Sequence, residues 1–210
     1  MMRRLVTIVL LLVSASILAG DARADDRVFH RENLRGAQFT ECDLQRAIFR
    51  GSRLPHARFI DITRSPRITF RDSHLEETTF EYARLSGPRV TRSRIEGLEG
   101  YDFTLDDWDV RQSRWTKLTL RHCTLRYINL ERTQVRDFRA EWGDFRGSRW
   151  RGTDLRESEF DNCDLSRSSF SRGSLERSRF QNVSFRDVRL EGCDIRGLVI
   201  NGVRIDELLK

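Results

Sequence analysis

The sequence predicts a repeat protein, because one hydrophobic pattern runs through almost the whole chain. From Phe70 to Ile205, every fifth residue is Leu, Phe, Ile, Val or Trp in 26 of 28 slots, and only Gly100 and Ala140 depart from this rule. The same pattern runs from Leu34 to Phe59 in a frame shifted by one residue, which indicates a single inserted residue between the two runs. A period of five matches neither the 3.6 residues of an α-helix nor the two of a β-strand. The chain is therefore a series of short repeated units.

Two further positions of each unit are restricted. The residue two places before the apolar slot is Ala, Ser or Cys in about half of the units, and Asp or Asn recurs directly before the slot. Examples are Cys-Asp-Leu-Gln-Arg at 42–46, Thr-Asp-Leu-Arg-Glu at 153–157 and Cys-Asp-Leu-Ser-Arg at 163–167. In these features the sequence resembles the pentapeptide-repeat family, whose units read Ala/Ser/Cys, Asp/Asn, Leu/Phe and two free positions. The resemblance covers nearly all of residues 30–205.

The resemblance implies an all-β fold, a right-handed quadrilateral parallel β-helix of about nine coils over residues 34–205. Each unit forms one of four sides. The apolar slot and the small residue face inward and the other positions face water, which lets a chain with 33% charged residues keep a core. Each inward Leu or Phe stabilises by about 1.5–3 kcal/mol on burial, whereas fixing the backbone costs about 1–2 kcal/mol per residue. A single coil is therefore unstable, and stacked coils support one another.

Residues 1–24 stand outside the repeat and have the features of a secretory signal peptide. Two arginines near the start precede an apolar run at 5–18, and Ala-Arg-Ala at 22–24 is a cleavage signal. An uncleaved membrane anchor is the alternative, although the run is shorter than the ~20 residues that span a bilayer. We therefore expect a periplasmic or secreted bacterial protein with no transmembrane span after cleavage. Residues 25–33 are predicted to cover the N-terminal end of the rod, whose open coil otherwise exposes unpaired strand edges.

The C-terminal end, residues 206–210, is predicted to close the rod. A turn signal at 201–202 precedes it, and Asp206 is placed to cap a short helical turn. Leu208 and Leu209 would then cover the last coil. A homodimer contact through the same two leucines is the alternative.

Two irregular stretches lie in the first half of the rod. The segment 61–69 contains the inserted residue and is interpreted as a tolerated bulge, with a recognition protrusion as the alternative. In the segment 98–110, Phe103 and Trp108 each follow an Asp, so we expect the frame to be ambiguous and open to a slip of two residues. The acidic residues of this stretch are interpreted as a solvated edge, with a calcium site, which needs several converging oxygens, as the alternative. They are Glu99, Asp102, Asp106, Asp107 and Asp109.

The segment 137–150, a third irregular stretch, supplies the candidate interaction site. Trp115 and Trp150 occupy apolar slots and should point inward, whereas Trp142 should point outward if the frame is kept. An exposed Trp among arginines has the composition of a binding hot spot. A partner-binding patch is therefore the hypothesis, and a Trp lying flat over a local distortion is the alternative. The predicted patch consists of Arg139, Trp142, Arg146, Arg149 and Arg151.

The four cysteines of an exported chain raise the question of disulfide bonds. All of them occupy the small inward position. Cys123 and Cys163 should lie two coils apart on the same side, at roughly 10 Å, which exceeds the ~7 Å limit for a bridge. We therefore predict buried free thiols, acting as small apolar fillers, at Cys42, Cys123, Cys163 and Cys193.

The charge distribution bears on the partner. Residues 25–110 hold 14 basic and 16 acidic residues, and residues 111–210 hold 21 and 15, so the basic excess lies in the C-terminal half. The best-known members of the family that the chain resembles, those giving quinolone resistance, mimic DNA with a strongly acidic surface, which a net-basic rod does not offer. Arg126 should stack on Arg146, and Arg136 on Arg156. Like charges about 5 Å apart repel each other unless nearby carboxylates or an anionic partner offset the repulsion.

No catalytic, metal or cofactor site is predicted. The four histidines show no ligand spacing, and a filled solenoid offers no cleft of the usual kind. The sequence favours an exported, non-enzymatic interaction or scaffold module whose partner is an envelope protein or an anionic polymer, and not nucleic acid. The alternative is a binder of anionic polymer or of a membrane surface through the basic C-terminal half. A DNA mimic that interacts with topoisomerases is a third, less favoured interpretation.

Overall fold

Each five-residue unit forms one side of a four-sided coil. The computed structural model describes residues 28–41, 44–62 and 67–209. In the regular units the apolar slot is the middle of a three-residue strand, so that its side chain points inward while its two neighbours point outward. Two residues after the slot, the chain turns a corner through a residue with positive φ. Gly, Asn and Asp tolerate that conformation best and recur at the corners.

Parallel strands of successive coils form four sheets, one on each side of the rod, which confirms the predicted right-handed quadrilateral β-helix. The nine-stranded side contains Val28–His30, Ile48–Arg50, Thr69–Arg71, Arg89–Thr91, Asp109–Arg111, Asn129–Glu131, Arg149–Arg151, Ser169–Ser171 and Arg189–Glu191. The ten-stranded side contains Gln38–Thr40, Arg58–Ile60, Thr79–Glu81, Glu99–Tyr101, Thr119–Arg121, Arg139–Glu141, Glu159–Asp161, Arg179–Gln181, Val199–Ile200 and the antiparallel Val203–Arg204.

The other two sides have shorter ladders. The five-stranded side contains Arg53–Pro55, His74–Glu76, Arg94–Glu96, Arg114–Thr116 and Gln134–Arg136, and the two-stranded side contains Arg84–Ser86 and Thr104–Asp106. Isolated bridges continue both sides through the later coils. The chain visits the ten-, two-, nine- and five-stranded sides in that order, so the ten-stranded and nine-stranded sides lie opposite each other.

The stacking register confirms the inserted residue. Phe29 lies beside Phe49 of the next coil, and Phe49 lies beside Phe70, which is one position further along the chain than the regular coil length gives. Later pairs on the same side return to the regular coil length, as Val90 and Val110 do. The ladder therefore absorbs the extra residue between two coils without losing its register. Residues 63–66 of this bulge lie outside the described residues, and its interpretation as a recognition protrusion stays a prediction.

Stacked rings form the interior of the first coils. Phe29, Phe49 and Phe70 make one column, with ring centroids 4.6 and 4.9 Å apart. Small inward residues at the corners leave room for such rings, and a hydroxyl there can bond to the backbone of the previous coil. Ser178 Oγ, for example, donates to the Leu155 carbonyl oxygen at 2.6 Å. Such small polar residues can thus be buried with a hydrogen bond, although the hydroxyls of Thr153 and Ser158 are buried without one among the described residues.

The slot at Gly100 keeps the regular frame. Gly100 is the middle of strand Glu99–Tyr101 and pairs with Leu120 of the next coil, in the regular register. The expected slip of two residues within 98–110 is therefore wrong. A Cβ at position 100 would overlap the ring of Phe103, which stands in the small position of the next unit and is buried. The large ring fills the space that the missing side chain leaves.

A similar exchange of volume occurs at Ala140. Phe138 stands two places before it, in the small position, and packs against Phe160 with centroids 5.2 Å apart. Trp115 and Trp150 point inward as predicted, each only 2% exposed. The interior is thus filled by pairing bulky and small residues within a coil.

The N-terminal end of the ladder begins earlier than the sequence suggests. Val28–His30 already pairs with Ile48–Arg50, so the rod starts inside the segment 25–33 that is predicted to cover it. The proposed signal peptide, residues 1–24, lies outside the described residues. Within the described part of the chain, no helix is long and apolar enough to span a membrane.

The C-terminal end folds into a hairpin and a single helical turn. The predicted turn at 201–202 joins Val199–Ile200 to Val203–Arg204, and the helix Ile205–Leu208 follows. Asp206 does not cap this helix, because its N-cap is Arg204, which makes no side-chain capping bond. The carboxylate of Asp206 instead accepts a hydrogen bond from the Gly197 backbone N–H at 2.9 Å. It thereby fastens the helix to the preceding coil.

Leu208 and Leu209 do not cover the last coil. They are 68% and 72% exposed, so the prediction that they close the rod is wrong. A one-turn helix can press only one face against the coil, and Ile205, which packs against the core, occupies that face. The end of the rod therefore keeps exposed apolar side chains.

Candidate interaction surface

Trp142 stands on the outside of the rod, as predicted. It occupies the corner after strand Arg139–Glu141, with φ +57°, and is 59% exposed. Its ring lies nearly parallel to that of His122, one coil earlier, with centroids 6.4 Å apart and an angle of 9° between the planes. Corner geometry and stacking together hold an aromatic ring in solvent.

The four arginines of the predicted patch do not share one surface. Arg139 lies on the ten-stranded side and Arg146 on the two-stranded side, so the two flank the corner that carries Trp142. Arg149 and Arg151 lie on the nine-stranded side, opposite to Arg139. The predicted patch is therefore divided, because two successive units carry the chain half-way around the coil.

Carboxylates hold the arginines next to Trp142. Arg146 makes two hydrogen bonds to the Asp144 carboxylate, at 2.8 and 2.6 Å. The hydrogen bond to Asp144 raises the pKa of the Arg146 guanidinium. Arg139 Nε lies 3.6 Å from a Glu159 carboxylate oxygen. The surface beside Trp142 thus has mixed charge rather than the purely basic character that the sequence suggests.

The stacked arginines of the C-terminal half also have acidic partners. Arg136 and Arg156 share the Asp154 carboxylate, at 3.1 and 2.7 Å. Burial raises the pKa of the Asp154 carboxyl, but the hydrogen bonds from Arg156 and Arg136 outweigh burial and hold it below its usual value. Such pairs can be recognised in the sequence as the motif Asp-x-Arg, which occurs at 144–146, 154–156 and 194–196. Several arginines of this half are therefore paired with a nearby carboxylate.

The acidic residues of 98–110 do not converge on one point. Asp106 pairs with Arg126 at 3.3 Å, and Asp109 pairs with Arg111 at 3.0 Å on a different side of the rod. Among the residues that the structure describes, no group of three His, Cys, Asp or Glu side chains could hold a metal ion. The calcium alternative thus finds no ligand cluster there, since the five-residue period distributes neighbouring acids over different sides.

Two of the cysteines are buried free thiols, as predicted, and one is not buried. Burial raises the pKa of Cys123 to about 12 and that of Cys163 to about 11, so both stay protonated at neutral pH. Cys193 is free but only half-buried, because it lies in the last coil, beyond which only the hairpin and the helix follow. Cys42 lies outside the described residues.

The repeat and the coil are shared with known proteins. A family model described as pentapeptide repeats matches residues 33–62, 141–172 and 158–197, with eight copies of its unit. No curated protein matches the chain.

Two solved structures show the extent of the similarity. The chain is similar to full-length QnrB1, a plasmid-mediated fluoroquinolone resistance protein, with 16% identity over 87% of this chain and 97% of that chain, at a TM-score of 0.49. It is also similar to HetL, a pentapeptide repeat protein involved in heterocyst differentiation regulation from the cyanobacterium Nostoc sp. strain PCC 7120. That similarity has 15% identity over 85% of this chain and 93% of that chain, at a TM-score of 0.38. Identities this low say nothing about the partner of this chain.

Proposed function

This chain belongs to the pentapeptide-repeat family, and on that premise we propose that it is an exported, non-enzymatic interaction module of the periplasm or cell envelope. Its export is supported by the basic start, apolar run and Ala-Arg-Ala sequence within residues 1–24. Its role in binding is supported by Trp142, the exposed indole at the corner between the ten-stranded and two-stranded sides. The partner is a protein with a pocket for that indole.

The exposure of Trp142 is the observation that carries this proposal. Corners of the same column in the next two coils hold Asn162 and Asn182, which suit a positive φ better than an indole does. A side chain that is 59% exposed gives the fold little of the stabilisation that full burial of a Trp would bring. Trp is also a residue in which binding energy concentrates at interfaces. Stacking on His122 fixes the ring before the partner arrives, which lowers the entropy cost of binding.

The charges around the indole define what the partner must offer. Arg139 and Arg146 flank Trp142, and each is already held by a carboxylate of this chain. A partner therefore meets alternating positive and negative groups, which favours a polar rim of matching pattern around a central apolar pocket. A purely acidic partner has no advantage at this surface.

The proposal is tested in bacterial cells that express the whole chain, with its own N-terminal segment 1–24 in place. We expect the periplasmic fraction to contain a protein whose intact mass corresponds to a start at Asp25. A chemical cross-linker applied to these cells should trap a discrete complex, and Trp142→Asn should abolish that complex because Asn keeps the corner geometry but removes the ring.

The matched control is Tyr82→Asn, since Tyr82 is a corner residue of the same column and is 57% exposed. This variant should leave the complex intact. An uncut chain in the cytoplasm would refute the export, and equal loss of the complex in both variants would refute the role of Trp142.

The alternatives have weaker support. Binding of an anionic polymer or a membrane surface through the basic C-terminal half would show as a steep loss of affinity with salt. Several arginines of that half, such as Arg156 and Arg196, are held by their own carboxylates, which reduces the field available to an anion. A topoisomerase-directed DNA mimic needs an acidic surface, whereas this chain has a formal net charge of +6.

A further inference from the structure

A groove without carboxylates runs along the edge between the nine-stranded and five-stranded sides. Two corner arginines, Arg92 and Arg132, stand two coils apart on this edge. Arg94 and Arg114 lie next to them, at the start of neighbouring strands of the five-stranded side, and are direct register partners. The groove is defined by Arg92, Arg94, Arg114 and Arg132 together with the amides of Gln112 and Gln134, and no carboxylate of the described residues lines it. We call it the arginine groove.

Arg94 and Arg114 differ from the other stacked arginines. Neighbouring strands lie about 4.8 Å apart, so their like charges repel at short range. The stacked pair Arg136 and Arg156 shares Asp154, but within the described residues no carboxylate lies within 4 Å of Arg94 or Arg114. Arg114 Nε donates instead to Gln134 Oε1 at 2.9 Å, a neutral acceptor.

The remaining charges near the groove do not neutralise it. Arg92 is the one groove arginine with an ion pair among the described residues, to Asp72 at 2.7 Å. Glu96, on the same strand as Arg94, points to Lys117 at 3.7 Å. Arg94, Arg114 and Arg132, on three successive coils, thus face solvent without an ion-pair partner among the described residues. That arrangement is stabilised when an anion binds.

We propose that the arginine groove binds a linear acidic polysaccharide that lies along the axis of the rod. Guanidinium groups bind carboxylates through two parallel hydrogen bonds. The Gln112 and Gln134 amides can donate to and accept from sugar hydroxyls. A polymer with an acidic group on each sugar can offer several carboxylates to Arg94, Arg114 and Arg132, which stand on three successive coils. This site goes beyond the proposed function, because it lies away from Trp142 and takes a different class of ligand.

Other polyanions fit the groove less well. An extended acidic peptide presents same-face side chains about 6.6 Å apart, which does not follow a coil spacing of about 4.8 Å. Single-stranded nucleic acid is held largely by stacking of bases on aromatic rings, and no aromatic side chain of the described residues lines the groove. A membrane surface usually also takes up apolar side chains, and the groove is lined by polar residues.

The test is calorimetric titration of the purified full chain with polygalacturonate, a linear polymer with one carboxylate on every sugar. We expect binding that weakens with salt. The double variant Arg94→Gln and Arg114→Gln should weaken it by about tenfold or more. Gln already occupies two positions of the same edge, so the fold should tolerate the change, which circular dichroism checks.

The control double variant, Arg58→Gln and Arg121→Gln, removes the same charge from ion-paired arginines of the ten-stranded side. It should weaken binding by less than about twofold if the groove, and not net charge, is responsible. Trp142→Asn should leave binding unchanged, so this proposal and the proposed function can fail separately.

Four results would overturn the assignment. These are no binding of polygalacturonate, equal binding of its methyl ester, equal loss in both double variants, or tighter groove-dependent binding of polyglutamate, single-stranded DNA or anionic vesicles.

Discussion

Gly100 shows how single residues share volume inside the rod. The apolar slot is empty there, and the ring of Phe103 enters the space from the next unit of the same coil. Leu120, one coil later, closes the space from above. The small residue, Gly100, thus stands in the apolar slot and the large residue, Phe103, in the small position, so the interior of the coil remains filled. Packing therefore excludes a side chain at position 100, although the apolar slot holds one in all the remaining units.

We expect Gly100→Ala to destabilise the chain by about 1–3 kcal/mol, because the new methyl group overlaps the buried Phe103 ring. Urea unfolding measures the change. The double variant Gly100→Leu and Phe103→Ser restores the regular unit and should recover most of the loss. A Gly100→Ala variant as stable as the parent would contradict this account of the packing.

At the scale of one repeat unit, the Asp before the slot has two tasks. Asp154 accepts a hydrogen bond from the backbone N–H of Arg156 at 3.3 Å, which shapes the corner, and its carboxylate binds the Arg156 side chain. Asp144 and Arg146 repeat this arrangement two sides earlier. The motif therefore joins backbone geometry and charge balance within one short segment.

Asp154 should make the stability of this region depend on pH. The pKa of its carboxyl is lowered in the folded chain from a usual value of 3.8, so its contribution is present above that value and is lost as the pH falls through the lower, folded pKa. Asp154→Asn should cost about 1 kcal/mol near neutral pH, a value that allows for solvent screening. The difference from the parent, measured by urea unfolding, should shrink toward zero in strong acid.

Asp137→Asn is the matched control, because Asp137 is a corner residue without an ion pair among the described residues. It should change the stability little at any pH. A pH-independent difference between parent and Asp154→Asn would show that the carboxylate acts through its shape and not its charge.

At the scale of the whole molecule, the two ends of the rod are not equivalent. The hairpin and helix bury Leu198 but leave Leu208 and Leu209 in solvent. Val203 and Leu190, near the same end, are 48% and 39% exposed. Exposed apolar side chains gathered at one end of a protein are typical of a contact surface when they form one patch. The homodimer predicted as the alternative use of these leucines thus gains support from their exposure.

We expect the purified chain to form a dimer through this end in sedimentation velocity experiments. Leu208→Lys with Leu209→Lys should give a monomer with unchanged circular dichroism, since neither side chain contributes to the core. Binding through Trp142 should persist in this variant. A parent chain that stays monomeric at high concentration would contradict the dimer.

Most of the architecture could be predicted from the sequence, because the five-residue period, with the four-sided coil that the family resemblance implies, assigns each residue to a side and to the interior or the surface. The register shift before Phe70 follows from that period, and the inward Trp115 and Trp150 and the outward Trp142 follow from the period together with the coil that the family resemblance implies. Because one unit forms each of the four sides, the period also predicts which residues stack in successive coils.

Only the tertiary structure decided those features of packing, exposure and ion pairing that depend on residues outside the repeat unit. The frame stays regular at Gly100 because the Phe103 ring fills the space of the missing side chain. Cys193 is only half-buried and Leu208 is exposed because little of the chain covers the last coil. Which arginines find a carboxylate depends on side-chain reach between coils. The sequence indicates a basic C-terminal half, whereas only the structure shows that the stacked neighbours Arg94 and Arg114 have no carboxylate partner among the described residues.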